Sequence, residues 1–301
     1  MHEPLVSICI PAYNAEKTIA RTLQSLIAQT YRNLEIIVVD NCSTDETASI
    51  ARSFSDNRIK VYSNEEHLPS AEYNWNRCFR YPTGKYLAVF HADDIYSPDI
   101  VSRQVETFKE YPTVVGVFTQ GTIIDDNDIP MGTFKLPEEI IGNQPYTYNE
   151  LLNAVLIHAD FLPTPSAMIK TGIYLGCAPV RYDQFASASD LDIWLRIAKY
   201  GEIVILDENL LNYRVSKSQW SNRLNRLRTK ESDFFKVMDY HLARNKDVPR
   251  EVKTSYELSR FGDQVLCQIN FLRQYFFRLI SHPGLLYEKY KMYAYFKRFK
   301  K

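Results

Sequence analysis

The chain has 301 residues, 45% of them hydrophobic, enough to bury a full core in one large domain or one domain with an appendage. Lys and Arg total 36 and Asp and Glu total 36, so the net charge is zero, which argues against a general nucleic-acid binder. The five cysteines (Cys9, Cys42, Cys78, Cys177, Cys267) show no metal-binding spacing and read as residues of a reducing compartment. No stretch approaches the roughly 20 apolar residues that cross a bilayer, so the expectation is a cytoplasmic protein, neither secreted by a signal peptide nor membrane-spanning.

Val6 to Ile10 is a β-prone run stopped by Pro11, and Asn14 is placed to cap the segment that follows. In that segment Ile19, Leu23, Leu26 and Ile27 repeat at helical spacing. Leu34 to Val39 is again strand-like, and Ser43 to Glu46 after it has the spacing of a capping box. Strand, helix, strand, helix in this order predicts parallel βαβ units. Arg58 to Tyr62 supplies a third strand, Ser70 to Phe79 a helix, and Tyr86 to Phe90 a central strand. Pro98 opens a helix with Ile100, Val101, Val105 and Phe108 toward the sheet, and Val114 to Thr119 forms another strand.

Asp125 to Asp128 looks like a turn and lacks the glycine and terminal glutamate of a calcium loop. From Ile129 to Tyr148 the chain is rich in prolines and glycines and reads as an insertion or lid over a ligand site. Order resumes at Glu150 to His158 and at Pro163 to Ile169. Asp190 to Lys199 is helical, with Leu191, Trp194, Leu195 and Ala198 on one face. Beyond Asn209 the β signals fade and helical segments run to the end.

Two acid groups follow apolar runs: Asp40 after Ile36 to Val39, and Asp93 and Asp94 after Tyr86 to Ala92. In an open α/β sheet ligands bind outside the carboxyl ends of the strands, so both groups are expected at one crevice. Adjacent carboxylates repel each other, and a divalent cation removes that penalty, which points to a phosphorylated or diphosphate substrate.

The pieces Ser7-Ile8-Cys9-Ile10-Pro11-Ala12-Tyr13-Asn14, Val38 to Thr47, Asn76 ahead of Gly84, and Phe90-His91-Ala92-Asp93-Asp94 to Asp99 together resemble glycosyltransferase family 2 over roughly residues 5 to 215. The resemblance implies a GT-A nucleotide-binding fold: a central, mostly parallel sheet flanked by helices over 1–215, with a nucleotide half (1–100) and an acceptor half (101–215). A helical extension over 216–301 would follow. It further implies an inverting transfer from a nucleotide sugar, a UDP-sugar by default, to a hydroxyl of a glycan or lipid-linked acceptor, with Mn²⁺ or Mg²⁺. Pro11, Ala12 and Tyr13 would line the base site, Asp40 would accept hydrogen bonds from base or ribose, and Asn76 and Asp93 would contact the donor. Asp94, with Asp93, would bind the metal. His91 stands where the family usually carries a first acid. In Ala188-Ser189-Asp190-Leu191-Asp192, Asp190 would be the base and Ser189 replaces the usual acid, while Asp192 points elsewhere and Asp45 is structural. Arg196, Tyr213 and Arg214 are expected to reach phosphate or brace the site. Gln219-Trp220 only faintly matches the element of processive synthases, so single addition is preferred. A non-catalytic nucleotide-sugar-binding protein on the same core and a sugar-phosphate nucleotidyltransferase are the competing readings.

From Asn270 to Lys301 there are eight Lys or Arg against the single acid Glu288, interleaved with aromatic rings. Such a tail suits the headgroup layer of an anionic membrane, and equally its own domain or a second subunit in a homodimer. The expectation is that the Phe and Leu residues before Pro283 pack on the domain while the Lys-rich end faces lipid on the cytoplasmic face of the inner membrane.

Overall fold

A computed structural model describes residues 3–216 and 228–281, with side chains through residue 276. Ten strands build one sheet: β1 (Val6–Ala12), β2 (Leu34–Asp40), β3 (Ile59–Ser63), β4 (Tyr86–Val89), β5 (Ile95–Tyr96), β6 (Val114–Ile124), β7 (Pro130–Thr133), β8 (Pro145–Tyr146), β9 (Met168–Lys170) and β10 (Glu202–Arg214). Their order is β3-β2-β1-β4-β9-β6-β10-β5, with β7 on β6 and β8 on β10. The β3-β2-β1-β4 half is parallel, as βαβ crossovers require, and β9 joins both β4 and β6 antiparallel. Buried on both faces, β1, β2 and β4 read as continuous apolar runs rather than alternating ones.

One core lies on each face. Helix α1 (Ile19–Ile27) buries Ile19, Leu23 and Leu26, and α4 (Ile100–Glu110) buries Ile100, Val101, Val105 and Phe108 on the same side. On the other side α3 (Ala71–Cys78), α5 (Tyr148–His158) and, after the short α6 (Thr171–Cys177) and α7 (Tyr182–Phe185), α8 (Ser189–Ile197) bury Trp75, Leu152, Trp194 and Leu195. Ile27 is only half-buried, and Thr22 takes the inward position instead.

The structure corrects several local readings. β1 does not stop at Pro11 but runs to Ala12, because β4 pairs only with Val6 to Cys9 and the missing N–H costs no ladder bond there. Asn14 caps no helix; it has a positive φ of 48° and accepts from Thr44 N at 2.9 Å. Ser43 and Glu46 form no capping box: Ser43 Oγ accepts from Asn14 N at 3.0 Å, and α2 (Thr47–Arg52) starts without a side-chain cap. The two loops are thereby clipped together. β6 extends to Ile124 and β10 passes Asn209 to Arg214, with bulges around Asn209. Gly121 permits this pairing, since a Cβ there would lie 2.6 Å from the Leu211 carbonyl oxygen. The 129–148 segment is not a free lid: β7 and β8 add it to the sheet edge, Asn143 N donates to Ile205 O at 2.8 Å, and only Phe134 of it lines the cleft.

Asp192 on α8 is the hub of the second half. Its wholly buried carboxylate accepts from Arg181 Nε and Arg196 Nε, both at 2.9 Å, and faces His241 Nε2 at 3.3 Å. Burial opposes the charge, yet His241 and the two guanidiniums win and hold it down to about 2. Asp192→Ala would strand two cations and is expected to cost about 3 kcal/mol in a denaturant titration. Because the folded pKa is depressed, that contribution is present above the unfolded value of about 4 and is lost as the pH falls toward 2.

The helices Asp233–Leu242 and Arg250–Ser281 follow. The first packs Phe235, Val237 and Met238 into the core. On the second, Tyr256, Cys267 and Asn270 are buried, whereas Leu258, Phe261, Val265, Ile269, Leu272 and Phe276 form an exposed row. The expected packing of Phe271, Leu272 and Phe276 on the domain is therefore corrected: all three are more than half exposed, while Asp263 and Arg260 of this helix carry the contacts to Arg228 and Glu231. Gln219, Trp220 and the segment from His282 to Lys301 lie outside the described residues. Among the described residues no helix is long and apolar enough to cross a membrane.

Candidate active site

The register of the parallel strands sets the site. Ala12 lies opposite Asp40 and Cys9 opposite Val89, so the loops after β1, β2 and β4 emerge at one sheet edge. They open into a cleft of about 1290 Å³.

One end of the cleft is a flat apolar surface. Pro11, Ala12 and Tyr13 line it, with Tyr13 47% exposed and its ring 4.5 Å from that of His67. His67 Nδ1 lies 3.1 Å from Asn41 O, and the Asn41 side chain both accepts from Leu68 N and donates to Leu68 O, at 2.8 and 2.9 Å. Asn64 Nδ2 joins Asn41 to Asn74, whose own Nδ2 donates to Val39 O. This asparagine network fixes the wall beside Tyr13 from behind.

Asp40 reaches the same sheet edge but is buried, and its carboxylate accepts from Ser43 N at 3.3 Å instead of lining the cleft. Asn76 is not brought to the cleft: it donates to Val180 O at 3.0 Å and accepts from Val180 N at 2.8 Å. Two residues along a helix turn a side chain about 200°, so Asn74, not Asn76, faces the cleft. Asp45 accepts from Glu16 N and from Thr47, as a loop brace would, and it also borders the cleft.

In the 91–94 loop His91, Ala92 and Asp93 line the cleft, and Asp94 after them does not. Thr18 and Thr22 of the α1 region donate to Ala92 O, both at 3.0 Å, and Thr22 also to Asp94 O at 2.8 Å. His91 N donates to the Tyr96 hydroxyl, and the Tyr96 ring stacks on Phe90 at 4.0 Å. Asp94 is wholly buried; its Oδ1 accepts from Arg214 N at 2.8 Å, and its Oδ2 has no hydrogen-bond partner among the described residues. Burial, with the charge of Asp93, pushes the Asp94 carboxyl well above the usual carboxylate range. Arg214 also donates to Asp93 O, Asp125 O and Asp128, so it braces this loop, and Arg196 braces α8 through Asp192 and Pro179 O. Desolvation in the cleft pulls the His91 imidazole below its ordinary value, against the charges of Asp93 and Asp190.

The donor set fits a divalent cation. Ligand atoms of His91, Asp93 and Asp94 lie within 4.8 Å of one another, and the orphaned Asp94 oxygen is the kind of buried acceptor that a cation satisfies.

Across the cleft stands Asp190. Its Oδ1 accepts from Leu191 N and its Oδ2 from Thr164 Oγ1, both at 2.8 Å, while Trp194 Nε1 donates to Thr164 Oγ1 at 3.3 Å. A buried indole thus holds the hydroxyl that holds the carboxylate. Burial raises the Asp190 pKa, opposed by the hydrogen bonds from Thr164 and Leu191. Asp160 lines the same wall, and the cleft walls together with the Asp190 charge push it up to about 7. Sequence reasoning missed Asp160, Thr164 and His67. His67 and Asp160 sit on irregular segments, Asp160 after Ala159 at a φ of 62°, and Thr164 opens a three-residue 3-10 turn too short for any periodicity to show.

The Glycosyl transferase family 2 profile matches residues 7–173, more than half the chain and the whole of the 91–94 loop and base wall. The chain belongs to this family. An Escherichia coli relative, the UDP-Glc:alpha-D-GlcNAc-diphosphoundecaprenol beta-1,3-glucosyltransferase WfgD, is 30% identical over 74% of this chain and 81% of its own length. The putative teichuronic acid biosynthesis glycosyltransferase TuaG of Bacillus subtilis is 29% identical over 72% of this chain and 84% of its own. Among solved structures, S. aureus TarS 1-349 in complex with UDP-GlcNAc matches with a TM-score of 0.58 at 18% identity, covering 84% of this chain and 70% of that one. The Pyrobaculum calidifontis mannosyltransferase PcManGT, in complex with GDP-Man and Mn²⁺, matches at 0.60 and 16% identity over 95% and 81%. These two likenesses concern the fold. As a family 2 member the chain is an inverting glycosyltransferase with a nucleotide-sugar donor.

Proposed function

We propose that this glycosyltransferase moves a sugar from a UDP-sugar to a hydroxyl of a lipid-linked glycan in surface-polysaccharide synthesis, with Asp190 as the base and a divalent cation at Asp93 and Asp94. The observation that carries the reading is a single cleft lined by Tyr13, by His91 and Asp93, and by Asp190, with Asp94 wholly buried next to Asp93. WfgD is named for a UDP-sugar and a diphosphoundecaprenol acceptor, which favours this donor and acceptor class.

Pro11, Ala12 and Tyr13 present a face on which a base stacks, with His67 beside it. Asp93 takes the ribose or the cation, and Asp94 takes the cation. Asp40 acts through Ser43 N, keeping the loop in place, and Asn76 is assigned no ligand contact. A bound divalent cation supplies positive charge to the departing diphosphate. Asp190 removes the proton from the attacking hydroxyl, opposite the leaving group, as a single in-line displacement requires. Titration calorimetry with UDP, GDP and CDP in the presence of Mn²⁺ tests the donor side. UDP is expected to bind at least about tenfold more tightly, a difference of about 1.4 kcal/mol; preference for GDP would overturn the UDP assignment.

The exposed apolar row from Leu258 to Phe276 runs toward the basic end of the chain and suits the surface in which a lipid-linked acceptor resides. Leu272→Asp is expected to lower sedimentation with anionic vesicles severalfold and to leave donor hydrolysis unchanged. Unaltered vesicle binding would remove this surface from the account.

A further inference from the structure

We propose that His91 is itself a metal ligand, so that the donor cation sits in a mixed nitrogen and oxygen set that prefers Mn²⁺ to Mg²⁺. The inference rests on the reading of the cleft as a metal-assisted donor site and adds what replacing the family's first acid with imidazole does.

Three observations carry it. First, ligand atoms of His91, Asp93 and Asp94 already lie within 4.8 Å of one another. Bonds of about 2.0–2.2 Å to one cation place opposed ligands roughly 4.3 Å apart, so the set closes by a few tenths of an ångström. Second, Asp94 Oδ2 is fully buried without a hydrogen-bond partner among the described residues, and His91 Nδ1 faces it at 3.8 Å. That separation is too long for a hydrogen bond and falls within the range spanned by two ligands of one cation. Third, the backbone beneath the ring is fixed: His91 N donates to the Tyr96 hydroxyl at 2.8 Å, and Ala92 O is held by both Thr18 and Thr22. The imidazole, 35% exposed, reaches from that fixed backbone into the cleft.

The consequence follows from ligand chemistry. Mg²⁺ is a hard ion that prefers oxygens and keeps its waters, whereas imidazole nitrogen suits transition metals. A carboxylate at this position serves either ion; a neutral imidazole weakens the Mg²⁺ site and retains the Mn²⁺ site.

The test measures metal binding to the full chain with saturating UDP, without any turnover. Mn²⁺ affinity is read from the electron paramagnetic resonance of free Mn²⁺, Mg²⁺ affinity by competition, and nitrogen coordination from the ¹⁴N modulation of the bound Mn²⁺ signal. The expected result is ¹⁴N modulation in the wild type and its loss in His91→Asp and His91→Ala. Mn²⁺ affinity should fall about tenfold or more in His91→Ala, the scale seen for lost partners at metal sites. The ratio of Mn²⁺ to Mg²⁺ affinity should fall about tenfold in His91→Asp. Bound Mn²⁺ without ¹⁴N modulation, or an unchanged affinity ratio in both variants with UDP binding intact, would overturn this inference alone. A folded protein that binds neither UDP nor Mn²⁺ would overturn the donor-site reading and this inference with it.

Discussion

Asp190→Asn is expected to lower the turnover number by about 10²-fold or more while donor binding stays within about twofold of the wild type. The amide keeps the shape of the side chain and can still meet Thr164 and Leu191 N, so what is lost is proton removal. The pH profile separates this from a packing defect. Burial raises the Asp190 pKa, so the acid limb of the rate should lie above the ordinary carboxylate range of about 4, rising as Asp190 ionises. That limb should vanish in Asp190→Asn. Thr164→Val removes one hydrogen bond that favours the ionised form and should move the limb further up in pH. A loss of UDP affinity in Asp190→Asn as large as its loss of turnover would refute this division of labour.

The second large effect concerns Asp94. Asp94→Asn is expected to weaken metal-dependent donor binding by about 100-fold, because the variant removes the anionic ligand at the bottom of the site. The same change should not destabilise the metal-free protein. Oδ1 accepts from Arg214 N, a bond that an amide oxygen reproduces, whereas the charge on Oδ2 is buried without a partner beside Asp93. The folded pKa of Asp94 lies above its unfolded value, so the metal-free wild type loses stability as pH rises from about 4 toward the folded pKa. Asp94→Asn removes that slope. Thermal melts across this pH range, with and without Mn²⁺, read both effects: an equal melting temperature or a higher one without metal, and loss of the Mn²⁺ increment. A variant that melts lower without metal would show that Asp94 carries structure instead.

Much of this was legible in the residue order, for reasons the structure makes plain. Buried parallel strands must be apolar throughout, so β1, β2 and β4 announce themselves as unbroken runs, and the acids after them mark the sheet edge. The faces of α4 and α8 follow the helical period and are buried at each named position. Where the sequence misled, tertiary partners outbid local signals. Ser43 and Asn14 have the chemistry of caps but bond to each other's loops, contacts made across nearly 30 residues. Asn74 and Asn76 are alike in type and two positions apart, and only the docking of α3 tells which faces the cleft. Toward their ends β6 and β10 mix polar with apolar residues, Gln120 to Ile124 and Asn209 to Arg214, and their pairing survives through bulges and the glycine at 121. Phe271, Leu272 and Phe276, expected to pack on the domain, are exposed, because apolar residue type says that a face seeks cover but not what covers it.

The central claim, that this cleft performs an inverting transfer from a UDP-sugar, is tested most directly by proton NMR of the product. Purified protein with Mn²⁺, a panel of UDP-α-sugars and a lipid-linked acceptor should yield a β-linked product from at least one donor, resolved by the coupling constant of its anomeric proton. An α-linked product, or no transfer and no donor hydrolysis by folded protein that binds UDP, would contradict the account.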